Sequence, residues 1–268
     1  MSVLDYSTIG AVNPSSLKIL LRKSPLHYQY SLTHPREETA AMRLGTAVHL
    51  AVLQPDLFAA GYVAKPAGMK FNTKEGIAWR DAQTRVILDA DDYDNVYAMA
   101  EAVLSSPAAQ PFLAPGQVEA PILWTDAATG IACKGKPDLV TGTGILTDLK
   151  TARDLTPRRF TAACLDLGYL FSMAMYADGL AANGREPGDV ALVCVESVAP
   201  FDVVVYRLDA EALDVGREEY RRALETLKVC RETGRWPGQS PDPVTLTLPT
   251  WAYPEDDDAE GLDFGQEG

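Results

Sequence analysis

Between Lys134 and Lys150 the chain reads KGKPDLVTGTGILTDLK. Two runs, Lys136–Val140 and Ile145–Leu149, flank Thr141-Gly142-Thr143-Gly144, residues that tolerate positive φ, and the spacing predicts a β-hairpin. Side chains alternate along a strand, so Asp148 and Lys150 share one face and Leu149 takes the other. Asp138 follows Pro137 near the start of the partner strand. Pairing through the turn would gather two carboxylates and one ammonium on one patch. Two acids can hold a hard cation such as magnesium through oxygen. A lysine beside them can orient a water and stabilise charge on a phosphate. The combination suits phosphodiester cleavage. The competing reading is a solvated hairpin with ordinary charges.

Composition narrows the field. The chain has 268 residues, of which 47% are hydrophobic and 23% charged, the proportions of a soluble globular protein. No run approaches eighteen apolar residues, so no membrane span is expected. The start, MSVLDYSTIG, lacks the basic and apolar runs of a secretory signal, which leads to a cytoplasmic expectation. Cys133, Cys164, Cys194 and Cys230 form no CxxC pair, so buried thiols are expected rather than zinc or an iron–sulfur cluster. Net charge is −13, yet residues 255–268, EDDDAEGLDFGQEG, hold seven acids and no base, leaving −6 for the remainder. A nuclease needs a local basic track, not a basic average.

Along the chain, Asn13-Pro14 starts a helix that Ser24-Pro25 stops. Glu38–Leu53 reads as a second helix with Met42, Leu44, Val48 and Leu53 on its apolar face. Gly45 lies one turn below His49 on that helix, as if something approached closely there. His49 reads either as a core histidine or, beside the acids, as a further metal ligand. A strand at Tyr62–Lys65 and helices over Lys74–Leu88 and Asp92–Leu104 follow. Lys65, Lys70, Lys74, Arg80 and Arg85 lie near Phe71 and Trp79, either a charged helix face or a track for a DNA backbone. The segment PAGMKFNTKEG reads as a mobile loop over a substrate channel.

Val118–Thr125 and Gly130–Lys134 flank a turn and lead into the Asp138 strand as a meander. Glu119 opens that meander and either faces the acidic patch or is an exposed strand end. After Lys150, Arg153, Arg158 and Arg159 surround a helix start at Thr156-Pro157; they suit phosphates, or simply a solvated helix end. Leu167–Asn183 reads as one long helix with Tyr169, Ser172 and Tyr176 on one face. Val190–Glu196 and Phe201–Leu208 form a strand pair, and Asp209–Thr233 is a charged helix stopped by Gly234. The reading gives one domain over residues 1–254 with a helical N-terminal part, and an acidic, disordered tail over 255–268.

The spacing Pro137-Asp138, nine residues, Asp148-Leu149-Lys150 resembles that of the PD-(D/E)XK nucleases. Taken with NPSSLKILLRKSPLHY, RLGTAVHLAVLQPDLF, DLGYLFSMAMYADGL, VESVAPFDVVVY and WPG followed by PTW, the chain resembles phage-type exonuclease VIII (RecE-type) proteins. These are relatives of the RecB-type and lambda-type exonucleases. The resemblance runs from Asn13 to Trp251. It implies an α/β (α+β) restriction-endonuclease-like core, a central mixed sheet flanked by helices. It also implies His49, Asp138, Asp148 and the Leu149 carbonyl as ligands of magnesium, or of manganese, with Lys150 as the catalytic lysine. Tyr176 would be the tyrosine of the family's QxxxY element, but Ser172 stands where glutamine is expected and is too short to replace it. Lys136, Glu119 and Tyr169 would support the site.

The implied activity is exonucleolytic removal of one strand from duplex DNA ends, for recombination or end resection in a bacterial cell under phage or prophage control. The implied partners are duplex DNA ends, a single-strand annealing protein, and further copies of the chain in a ring. An endonuclease on the same fold, or a catalytically weak DNA-binding recombination partner, are the alternatives.

Overall fold

The computed structural model describes residues 6–34, 37–249 and 252. The acidic tail and Trp251 lie outside these. The fold is mixed α+β: a five-stranded mixed sheet flanked by helices.

The first helices start where the sequence caps them. Asn13 caps α1 (Pro14–Arg22) by accepting from the Ser16 amide at 2.9 Å, and Ser16 returns a bond to the Asn13 amide. Ser24 caps α2 (Pro25–Ser31). Thr39 caps α3 (Ala40–Leu53), and α4 (Pro55–Gly61) leads into β1 (Tyr62–Ala64). The expected helix over Lys74–Leu88 is instead α5 (Lys74–Asp81) followed by β2 (Val86–Leu88), which pairs parallel with β1. A short apolar run such as Val86-Ile87-Leu88 has no period of its own, and a strand partner distant in sequence decided its state. Helix α6 (Ala90–Ser105) follows.

The expected meander is broken. β3 (Gly116–Val118) pairs with β6 (Leu139–Thr141), whereas β4 (Ile122–Thr125) and β5 (Ala132–Gly135) form a separate two-stranded sheet. The break falls at Glu119, whose φ is 48°, two residues before Pro121, which has no N–H to give a ladder. The hairpin from β6 to β7 (Ile145–Ala152) is present, and Leu139 pairs with Thr147. Its first strand starts after Asp138, not at Lys136.

After α7 (Pro157–Leu167), Gly168 takes the left-handed conformation at φ 65° and starts α8 (Tyr169–Ala182). The single helix expected from Leu167 therefore starts at Tyr169, and a corner of 66° separates it from α7. Strand β8 (Asp189–Glu196) runs parallel to β7, β9 (Val203–Arg207) closes the sheet, and α9 (Ala210–Thr233) ends at Gly234. The sheet order is β3-β6-β7-β8-β9. No single helix among the described residues is long and apolar enough to cross a membrane.

Alternation along β7 and β8 separates two cores. Leu149, Val193 and Val195 pack with α3, α4 and α6. Leu146, Leu192 and Cys194 pack with Phe160 and Cys164 of α7 and with Met173, Ala177 and Leu180 of α8. The opposite side of α8, Phe171, Ala174 and Met175, packs on α1 and α9. A helix that is apolar all round lies inside, and α8 does. Its charged residue, Asp178, accepts from Arg217 at 2.9 Å and from the Tyr220 hydroxyl, both on α9.

Candidate active site

Strand β7 is longer than its neighbour β6. Beyond Leu139↔Thr147 the β6 partner has ended, so the backbone of β7 from Asp148 onward pairs only with β8 on its other side. An unpaired N–H inside a fold needs an acceptor. Asp138 supplies it: its Oδ2 accepts from the Leu149 amide at 2.8 Å. The same oxygen lies 3.3 Å from Nδ1 of His49, brought in by α3. Asp148 and Lys150 share a face as their spacing dictates, and the Lys150 ammonium donates to the Asp148 carboxylate. Lys150 also lies 3.5 Å from the Leu149 carbonyl and 5.0 Å from the centre of the Tyr169 ring.

Burial works to raise the Asp138 carboxyl, but His49, Lys150 and the Leu149 amide more than offset it and hold it below the usual carboxylate range. Burial lowers Lys150, against the pull of Asp138. Tyr176 is raised by burial and by the nearby Asp138 charge. Its ring reaches the site because residue 135 is glycine: a Cβ there would stand 2.8 Å from Tyr176 Cδ1.

Not every expected residue converges. Glu119 turns to Lys136, Nζ to Oε2 at 2.5 Å, and adjoins the site only through its amide, which donates to the Asp138 carbonyl at 3.0 Å. Ser172 bonds back to the Gly168 carbonyl at 3.4 Å. Arg153, Arg158 and Arg159 are exposed just past the end of β7. In the basic segment, Lys65 pairs with Asp89 at 3.0 Å and Arg80 with Asp81 at 2.8 Å, while Phe71 stacks on Trp79. Close approach does not explain Gly45, since a Cβ there would meet Thr151 Oγ1 at an ordinary 3.6 Å. Met42, expected on the apolar face of α3, is 43% exposed.

Lys18 of α1 was missed by sequence reasoning. It donates to the carbonyls of Leu167 and Gly168 at 3.2 and 3.4 Å, and the charge of Lys150 reaches it. The partners are 149 and 150 residues away, so no local pattern could have signalled them.

The donor chemistry of His49, Asp138, Asp148 and the Leu149 carbonyl is that of a site for a hard divalent cation, oxygen with one imidazole. As the side chains lie, His49 and Asp138 touch while Asp148 is drawn to Lys150. Among the described residues no three His, Cys, Asp or Glu side chains stand close enough to enclose an ion. Metal binding would have to take Asp148 from Lys150. The four cysteines are buried free thiols, and burial pushes Cys133 up to about 12 and Cys164 up to about 11. Raised thiols of this kind are poor nucleophiles and poor ligands.

Comparison with solved structures gives a candidate exonuclease from Eubacterium rectale with a TM-score of 0.64 and 13% identity, covering 93% of this chain and 96% of that one. A phage-related exonuclease from Haemophilus somnus has a TM-score of 0.36 and 13% identity over 84% of this chain and 96% of that one. The first likeness supports the fold; the second is too distant to add to it. No curated protein matches the sequence significantly. Residues 14–242 match the family described as a PDDEXK-like domain of unknown function (DUF3799). That span holds the sheet, the open edge of β7 and every residue gathered there, and the chain belongs to this PDDEXK-like family.

Proposed function

We propose that the protein is a divalent-metal-dependent deoxyribonuclease that removes one strand inward from duplex DNA ends. The observation that carries this reading is the His49–Asp138 pair lying against the Leu149 amide beside the Lys150–Asp148 pair, at the open edge of β7 in a PD-(D/E)XK fold. His49, Asp138, Asp148 and the Leu149 carbonyl would hold the ion. Magnesium or manganese, when bound there, supplies Lewis acidity and a water of lowered pKa.

The chain's own groups set the geometry. The Leu149 amide and His49 fix the Asp138 carboxylate from two directions, so it needs little reorganisation. Lys150 would place a positive charge where negative charge grows on the phosphate under attack by water, in a buried setting that strengthens it. Tyr169 holds that ammonium against its ring face. Arg153, Arg158 and Arg159, exposed beyond the strand, suit phosphates further along the DNA. Assembly into a ring, hand-over of the remaining strand to an annealing protein, and work in a bacterial cytoplasm on behalf of a phage or prophage belong to the same proposal. A single oligomeric species by mass photometry would support the ring.

The direct test is digestion of linear duplex against covalently closed circles with magnesium, with Asp148→Asn as control. The expected result is loss of the linear DNA alone, abolished in the variant. Cutting of circles would replace this reading with an endonuclease. Binding without cleavage, with magnesium or manganese, would leave a DNA-binding recombination partner.

A further inference from the structure

Resting on the nuclease reading, we propose that Lys18 of α1 contacts a backbone phosphate of DNA bound at the β7 edge. Three observations converge on the corner between α7 and α8. Ser172 spends its hydroxyl on the Gly168 carbonyl. Lys18 reaches the same carbonyl, and that of Leu167, from across the fold. The next residue, Tyr169, carries the ring beneath Lys150. Lys18 therefore stands one residue from the catalytic lysine's support.

The charges around this corner are unevenly answered. Lys150 has Asp148, and Arg22 has Glu219 at 3.1 Å. Among the described residues, the hydrogen bonds of Lys18 go to carbonyls alone. An ammonium has three N–H groups. Two face Leu167 and Gly168, and the third makes no hydrogen bond among the described residues. Burial first, then the charges of Lys150 and Arg22, push Lys18 down to about 8, with Glu219 opposing. A cation gathered beside Lys150 and Arg22, with the nearby Glu219 carboxylate already paired to Arg22, is what a polyanionic ligand would complete. The simpler role, capping the last carbonyls of α7, uses two of the three donors and needs no ligand.

The test is the salt dependence of binding to a blunt linear duplex in EDTA, so that no cleavage intervenes. Lys18→Gln removes the charge while its amide can still reach the corner carbonyls. The expected result is weaker binding at low salt and a slope of log K against log salt smaller by about 0.9, the value of one phosphate contact, with Lys18→Arg restoring both. An unchanged slope, with wild-type binding intact, overturns the Lys18 assignment and leaves the nuclease reading standing. Absence of duplex binding by the wild type overturns both. Should Lys18→Gln fail to fold, amine labelling of Lys18 in the wild type reads the same contact. Protection by bound duplex supports it, and undiminished labelling overturns it.

Discussion

Asp138 is held by neighbours from two distant parts of the chain, His49 of α3 and Leu149 of β7. Its folded pKa lies below its unfolded value, so it contributes stability that is complete above the ordinary carboxylate pKa of about 3.9. That contribution is lost as pH falls from there through the lowered folded value. Urea denaturation at neutral pH and near pH 3 should show Asp138→Asn losing less stability on acidification than the wild type. Lys150→Met should lower kcat by about 10²–10³-fold, the usual cost of removing one preorganised donor to developing negative charge, in a protein whose thermal melt still shows a cooperative fold. Single-turnover digestion of linear duplex measures it. At this scale the sequence displayed Asp148 and Lys150 clearly, because alternation along one strand is local. Lys18 was invisible because its neighbours are decided by helix packing.

Elements were legible where their signals were local and opaque where tertiary partners decided. Asn13-Pro14-Ser15-Ser16 announced α1 because cap, proline and reciprocal serine all lie within one turn. The β6–β7 turn was equally plain. Val86–Leu88 was absorbed into a helix because nothing in those residues reveals β1 as their partner. Gly168 was read as an ordinary helix residue, although its left-handed conformation forms the corner that sets Tyr169 under Lys150. The close packing of β5 against α8 gives a prediction at this level. Gly135→Ala would thrust a methyl at the Tyr176 ring, and such overpacking costs about 1–3 kcal/mol, measurable by urea denaturation. Because Tyr176 adjoins Asp138, digestion rates should fall by more than the stability loss explains.

For the molecule as a whole, charge is the property most at odds with a nucleic-acid ligand. Net charge is −13, and seven of the acids belong to residues 255–268. Deleting those residues should tighten duplex binding at low ionic strength. The gain should vanish near 1 M salt, where screening acts over about 3 Å. Fluorescence anisotropy across a salt series checks this, and equal affinities at low salt would show that the tail exerts no field on the site. The layered plan, α3, α4 and α6 on one side of the sheet and α7 and α8 on the other, agrees with the family resemblance. What the sequence reading got wrong was which strands share a sheet: the expected meander is split between two sheets, because pairing between distant segments decides it.

The parallel pairing of β7 with β8 bears on how the protein is made. Lys150 has as its strand partner Cys194, and between them the chain must build α7, turn at Gly168 and build α8. Contacts so far apart in sequence form late, after the cost of closing the intervening loop has been met. On the ribosome, α3 with His49 and the β6–β7 hairpin with its acids emerge before β8, and until β8 has followed β7 has no second neighbour. The two carboxylates and the lysine therefore remain a loose hairpin through most of translation. A nascent chain still attached near residue 190 would carry every one of these groups and none of their rigidity.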